Sequence, residues 1–368
     1  MRIGVPRERA VRERRVALVP EAVSRLVKGA RHQVAVERGA GAAAGFPDAA
    51  YAAAGASLAD DAASLLGASD LVLKVRCPSR EEALLLAERS ILISFLPPAA
   101  SGELLELLAR REVTALSMDL VPRVTRAQAM DALSSQANLA GYKAVLIGAE
   151  AMSRVLPMMT TAAGTLAPAR AFVLGAGVAG LQAIATARRL GALVSAFDVR
   201  PAVREQVRSL GAAFVEAPVA AEGAGGYARE LAEEQRRPVL DALAAHLPQQ
   251  DLVIATAQVP GKPAPRLLTA AMVRSMRPGA VVVDLAAETG GNCELTRPGE
   301  AVEEGGVLVL GPLDVPSTVP FHASQTYSRN LQALLEHLLD RDGVPRLDLA
   351  DEITGAMVVT HAGEIRRR

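Results

Sequence analysis

The sequence predicts an α/β protein made of two Rossmann-like doubly wound parallel-sheet domains separated by a cleft. Three observations lead there. An apolar run at residues 171–174 enters Gly175-Ala176-Gly177-Val178-Ala179-Gly180, a helical stretch follows, and a second run at 193–197 closes on Asp198. Short β-rich runs alternate with helical stretches on both sides of that turn. The chain has 368 residues, more than one hydrophobic core usually serves, and half of them are apolar, enough for two.

In chain order, strands are predicted at 3–5, 33–36, 71–75, 91–95 and 113–116, with helices at 21–28, 81–88 and 103–110 between them. These form an N-terminal α/β domain over 1–125. A connecting helix is predicted at 126–148, and a Rossmann domain over 149–324. In the latter, strands at 171–174, 193–197, 213–216, 252–256, 280–284 and 307–310 supply six parallel members. The chain then returns through a helix at 324–340, where Leu331, Leu334, Leu335, Leu338 and Leu339 recur at helical spacing, so that 325–368 completes the first domain. A ligand is expected in the cleft.

Composition removes several function classes. Lys plus Arg equals Asp plus Glu, 40 against 40, so no net field recruits nucleic acid or an anionic membrane. Basic clusters at 7–15 and 366–368 read as solvated surface. Two cysteines, Cys77 and Cys293, are too few and too far apart for a disulfide framework or a metal cluster, and a reducing compartment fits. No apolar export core follows Met1, and the uncharged run 171–187 is a strand, turn and helix rather than a membrane span.

The glycine turn has a specific chemistry. Gly175 permits the tight turn, Gly177 lets backbone N–H groups approach a pyrophosphate, and Gly180 lets the helix pack close, with its N-terminus toward the phosphates. Asp198, ending the next strand, would accept hydrogen bonds from an adenosine ribose and repel a 2′-phosphate, which favours NAD over NADP. Arg200 complicates this, because an arginine there can also accommodate a 2′-phosphate.

Ahead of the connecting helix, Thr125 and Gln128 fit a capping box. Gln128, Asp131, Ser134 and Ser135 would then share one helical face, either solvated or turned to the cleft to hold a carboxamide and ribose. After the strand at 213–216, the glycine-rich stretch 217–227 is longer than a compact connection needs. It is either a lid carrying Tyr227 or an ordinary surface loop. The five histidines show neither metal-ligand spacing nor a partner nucleophile, so no metal site is expected. Oxidation of an alcohol or amine needs a proton acceptor. Hydride transfer between two nicotinamides moves no proton at the reacting carbons and needs only positioning.

Along nearly its whole length the sequence resembles the NAD(H)-binding component, domain I, of the proton-translocating NAD(P) transhydrogenases, a family related to alanine dehydrogenase. The resemblance is carried by IGVPRE at 3–8, RRVALVP at 14–20, PRVTRAQAMDALSSQAN at 122–138, PMMTTAAGT at 157–165, GAGVAGLQAIATARRLGA at 175–192, PGKPAP at 260–265 and DLAAETGGNC at 284–293. It implies that Arg123, Gln128, Asp131 and Ser134 hold the nicotinamide end, with Gln128 reaching toward the second nucleotide and Arg126 counted among the cofactor contacts. It further implies pyrophosphate contacts at Gly175, Ala176, Gly177, Val178 and Gly180, adenosine contacts at Asp198, Val199 and Arg200, a closing loop with Gly226 and Tyr227, and a contact at Gln258, where relatives often carry leucine.

By the same resemblance, NAD(H) binds this chain and NADP(H) a partner subunit. Hydride passes reversibly between them, and a membrane-embedded subunit conducts protons. The chain is implied to be a cytoplasmic homodimer, peripheral on the inner face of the membrane through its complex. The alanine dehydrogenase alternative would use Lys74 and Arg15 on an oxo acid. However, the position matching that family's catalytic histidine is Pro97 here, and its catalytic aspartate is Glu288, so the amine-oxidising mechanism has lost a participant. A non-catalytic NADH-sensing module is the other alternative.

Overall fold

The computed structural model describes residues 1–28, 32–217, 232–259, 262–340 and 342–367. The chain forms two compact units, one of residues 1–136 with 316–368, the other of residues 137–315.

The first unit opens with β1 (Arg2–Val5), β2 (Gln33–Glu37), β3 (Ser57–Ala59), β4 (Leu71–Leu73), β5 (Ile91–Ser94) and β6 (Thr114–Ser117). All six pair in parallel, in the order β6-β5-β4-β1-β2-β3. Buried runs such as Leu71-Val72-Leu73 fit strands covered on both faces. β3 was not foreseen: Ser-Leu-Ala is short, partly exposed and lacks a β-branched residue.

The predicted helix at 126–148 is two elements. Thr125–Met130 is a 3-10 helix with no side-chain cap, so the expected Thr125 and Gln128 capping box is absent. The backbone leaves helical values at Asp131 (φ −68°, ψ 88°), and the α-helix Ala132–Ala151 starts beyond it. Asp131 is the cap instead, its Oδ1 accepting the Ser134 N–H at 2.9 Å.

The second unit carries a small hairpin, β7 (Met159–Thr161) and β8 (Gly164–Leu166), exposed along its whole length. Its main sheet contains β9 (Arg170–Leu174), β10 (Leu193–Phe197), β11 (Ala213–Phe214), β12 (Leu252–Ala255), β13 (Val281–Asp284), β14 (Ala301–Glu304) and β15 (Val307–Leu310). The order is β11-β10-β9-β12-β13-β15-β14, doubly wound with β14 antiparallel at the edge. The six predicted strands are the six parallel ones. β14, Ala-Val-Glu-Glu, has no apolar run to reveal it.

The chain returns to the first unit through the helix Pro320–Leu338, which buries Leu331, Leu334, Leu335 and Leu338. β16 (Val358–His361) then adds antiparallel to β6, and β17 (Glu364–Ile365) adds to β16. The Tyr327 hydroxyl on this helix is fully buried and donates to the Lys74 carbonyl at 2.7 Å, tying the return to the end of β4. Among the described residues no helix is long and apolar enough to cross a membrane, and no cluster suits a metal ion.

Candidate functional site

In the second unit the glycine turn lies where the strand order reverses, between β10 and β12 on either side of β9. Gly175 has φ +91°, a conformation that glycine adopts without steric cost. A Cβ at Gly180 would stand 1.8 Å from the Gly175 carbonyl oxygen, so only glycine lets the helix Val178–Arg189 start this close to the strand. Gly177 is different. Its backbone is extended (φ −76°, ψ −165°), and an added Cβ would meet nothing nearer than Arg200 Nη2 at 4.0 Å. No side chain caps the helix at Gly177, which leaves first-turn amides facing that room.

Asp198 follows β10 and is buried. Its Oδ2 accepts the Ala176 N–H at 2.8 Å and Arg200 Nη2 at 2.7 Å; Oδ1 accepts the Arg200 N–H and Nε, both at 2.9 Å. Four hydrogen bonds fill the acceptor capacity of a carboxylate. Ribose hydroxyls can therefore reach Asp198 only by exchange with the Arg200 guanidinium, an arrangement that the strand-end aspartate alone did not reveal.

The opposite flank was missed at the sequence level. The Thr256 hydroxyl, just past β12, donates to the Gly175 carbonyl at 2.8 Å. The next residue, Ala257, exchanges two hydrogen bonds with the fully buried Asn292 side chain: its N–H donates to Oδ1 at 2.9 Å and its carbonyl accepts from Nδ2 at 2.8 Å. Gln258 is exposed, its amide 3.4 Å from the Leu285 carbonyl. Thr256 is an ordinary strand-end residue, so only tertiary contact marks it. Gly226 and Tyr227 lie outside the described residues, as does the expected lid from 218 onward.

In the first unit, Asp131 and Ser134 are brought together: besides the cap, the Ser134 hydroxyl donates to Asp131 Oδ2 at 2.5 Å. Arg123 and Gln128 are exposed. Arg126 pairs with Asp351 at 3.3 Å and Glu352 at 3.1 Å. The Ser135 hydroxyl turns to Asn330 at 2.7 Å, and buried Gln136 accepts from Arg15 Nη1 at 2.9 Å. The expected common face is thus divided: Gln128 lies on the 3-10 helix, Asp131 is the cap, Ser134 bonds to that cap and Ser135 turns to the return helix.

Lys74 and Arg15 are both buried and both paired. Arg15 makes a two-point contact with Glu13, at 2.8 and 2.6 Å. Burial alone would raise the Glu13 carboxyl; Arg15, with help from Arg76, overcomes it and holds it at about 2. Lys74 lies 2.9 Å from Glu82 and 3.3 Å from Glu8. Burial works against its charge, but the two carboxylates outweigh burial and raise its pKa. Glu8, buried and sharing that one ammonium, is itself raised by burial. Pro97 starts a 3-10 turn, and its carbonyl accepts the Ser101 hydroxyl at 2.8 Å. Glu288 accepts the Asp314 N–H at 2.7 Å.

A glycine turn between a parallel strand and an uncapped helix, with an acidic residue ending the neighbouring strand, defines a doubly wound α/β protein of the Rossmann class. The family description "Alanine dehydrogenase/PNT, N-terminal domain" matches residues 4–140, and "Alanine dehydrogenase/PNT, C-terminal domain" matches residues 144–368. The chain belongs to this alanine dehydrogenase/PNT family. It is 47% identical to the NAD(P) transhydrogenase subunit alpha of Cereibacter sphaeroides, over 99% of this chain and 71% of that protein, and 45% identical to that of Haemophilus influenzae, over 99% of this chain and again 71% of the relative. A crystal structure of transhydrogenase from Sinorhizobium meliloti superposes with a TM-score of 0.90 at 44% identity, covering 99% of this chain and all of that one. Alanine dehydrogenase of Bacillus subtilis is more distant, 31% identical over 87% of this chain and 81% of its own. Within the family the chain is therefore a transhydrogenase alpha-type component of an oxidoreductase.

Proposed function

We propose that this chain binds NAD(H) at the glycine turn and exchanges hydride directly and reversibly with NADP(H) held by a partner subunit, a membrane-embedded subunit coupling the transfer to proton movement. The observation that carries the reading is the turn itself. Gly177 leaves room beside uncapped helical amides, which fits a pyrophosphate. When bound, the nicotinamide supplies the hydride; this chain's task is to hold and aim it.

The residues divide that task. Ala176, Gly177 and Val178 present backbone to the pyrophosphate, with Gly175 and Gly180 shaping the turn. Asp198 takes the adenosine ribose once Arg200 yields one side of its pair, and Val199 lies between them in sequence. Gln258 flanks the opposite strand end. As in the transhydrogenases that the sequence resembles, Arg123, Gln128, Asp131 and Ser134 act on the nicotinamide end, Arg126 supports their loop, and Gly226 and Tyr227 close on the cofactor. Asp131 has its carboxylate fixed by Ser134, which suits positioning rather than proton exchange.

The chain works as a homodimer on the inner face of the membrane. An isolated two-stranded hairpin is marginal by itself. The β7–β8 hairpin nonetheless presents Met158, Met159 and Leu166 to solvent, with Val155 beside it, a surface suited to a second copy.

Alanine oxidation fits less well. Pro97 and Glu288 replace the acid–base pair, and in the cavity of about 280 Å³ lined by Arg7, Arg14, Arg15, Glu8 and Glu13, Arg15 is already engaged at two points by Glu13. The test is to mix the chain with an NADP(H)-binding partner and follow hydride exchange between nicotinamide analogues. Exchange is expected; its absence with NADH still bound would favour a sensing module, and turnover of pyruvate, ammonia and NADH would favour the dehydrogenase.

A further inference from the structure

The run Gly290-Gly291-Asn292-Cys293 lies outside the glycine turn, yet its hydrogen bonds lead straight to it. Asp284 ends β13 with its side chain fully buried; its Oδ2 accepts the Asn292 N–H at 2.7 Å, the Cys293 N–H at 3.0 Å and the Thr296 hydroxyl at 2.6 Å, while Oδ1 accepts the Ala286 N–H at 3.0 Å. The loop is so tightly drawn onto this carboxylate that a Cβ at Gly291 (φ +80°) would come within 3.0 Å of it. Asn292 is thereby fixed at its backbone. All the strong groups of its side chain then serve other loops: Oδ1 accepts from Ala257, and Nδ2 donates to the carbonyls of Ala257 and Pro265, both at 2.8 Å.

We propose that Asn292 is a positioning residue for the nicotinamide half of the bound dinucleotide. This rests on the assignment of the glycine turn to NAD(H). The strand order β10-β9-β12 puts Asp198 on one flank of the turn and the Thr256-Ala257 backbone on the other. A dinucleotide straddles that reversal with its adenosine toward the acidic strand end, so the flank of β12 receives the other half. On that flank the backbone is held at two points, by Thr256 on the Gly175 carbonyl and by Asn292 on both polar groups of Ala257. Without Asn292, Ala257 and Pro265 lose their buried partners and the wall of the site moves, while Asp198 and its neighbours on β10 are untouched.

The split between two ligands tests this in the full-length chain. Binding of NADH and of AMP, which carries only the adenosine half, is measured for wild type, Asn292→Ala, Thr256→Val and Thr256→Ser, with a thermal melt of each to show that it is folded. Asn292→Ala and Thr256→Val are expected to weaken NADH at least about tenfold and AMP less than about twofold, with Thr256→Ser close to wild type because it keeps the hydroxyl. Equal losses for both ligands, or none for NADH, would overturn the positioning role. A wild-type chain that binds neither NADH nor AMP would instead overturn the assignment of the glycine turn. Should Asn292→Ala fail to fold, Asn292→Asp, which keeps the acceptor for the Ala257 N–H and loses both Nδ2 donations, is measured in its place with the same split expected and the same results overturning the role.

Discussion

Gly177→Ala and Gly180→Ala should have opposite consequences although they lie three residues apart in one turn. At Gly180 the new methyl would sit 1.8 Å from the Gly175 carbonyl oxygen and 2.9 Å from its carbon. An ordinary contact is about 3.5 Å, so the helix must retreat by roughly 1.7 Å or the turn must open. Overpacking of this kind costs about 1–3 kcal/mol, and it would also break the 2.8 Å bond from Thr256 to that carbonyl. At Gly177 the methyl enters open room and the backbone is already extended, so the folding cost is that of a poorer helix cap, about 1 kcal/mol or less. The methyl nevertheless stands where backbone would approach a pyrophosphate. Urea denaturation and titration with NADH should give a stable Gly177→Ala variant that binds at least about a hundredfold more weakly, a loss of about 2.7 kcal/mol, and a Gly180→Ala variant impaired in both respects. If Gly177→Ala bound NADH within about threefold of wild type, the room at Gly177 would not be a phosphate cradle.

Glu13 has its carboxyl held at about 2 against an ordinary 4.5, so it contributes stability above pH 4.5 that is lost as pH falls toward 2. That is at most roughly 3 kcal/mol, and Glu8, raised by burial, works in the opposite sense; Glu13→Gln should flatten the acid limb of a stability–pH curve, and an unchanged limb would contradict the pairing with Arg15. Met158→Asp combined with Leu166→Asp should turn a dimer into a folded monomer by sedimentation, and an unaltered mass would remove the hairpin from the interface. Gln128→Asn should slow hydride exchange with the partner-bound nucleotide by at least about tenfold while NADH affinity changes less than about twofold; equal losses would assign Gln128 to binding alone.

The central parallel strands were legible because residues such as Ala171 to Leu174 and Leu252 to Ala255 are buried on both faces and read as unbroken apolar runs. β3 and β14 went unseen because Ser-Leu-Ala and Ala-Val-Glu-Glu are short and partly exposed and carry no apolar run. Periodicity likewise marked the return helix through Leu331, Leu334, Leu335 and Leu338. It misled at 125–135, where polar residues at helical spacing were read through Asp131 as one helix; a capping aspartate and a polar helical residue look alike in sequence until the backbone breaks. At the site, Gly175, Gly177, Gly180 and Asp198 were visible because local geometry demands them. The roles of Thr256 and Asn292 depend on contacts across strands, which no local pattern encodes; the hold of Arg200 on Asp198 is local, two residues apart, but its geometry shows only once the backbone turns after β10.

Both units use the same doubly wound plan, yet they treat its crevice oppositely, and this bears on which reaction the chain serves. At the end of β1 and β4 in the first unit, the Val75 N–H donates to Glu8 Oε1 at 2.6 Å, and Lys74 is shared between Glu8 and Glu82. The chain's own carboxylates thus occupy the donors that such a strand end offers an anion. At the corresponding reversal in the second unit, the donors are helical amides beside Gly177 that no described side chain caps, and the Asp198 carboxylate is matched by Arg200. In the first unit Lys74 and Arg15 are thus internally satisfied, although Arg7 and Arg14 also line the cavity there. Glu8 and Glu82 would have to release Lys74 before an oxo acid could take it, whereas the amides beside Gly177 need no such exchange to meet a phosphate.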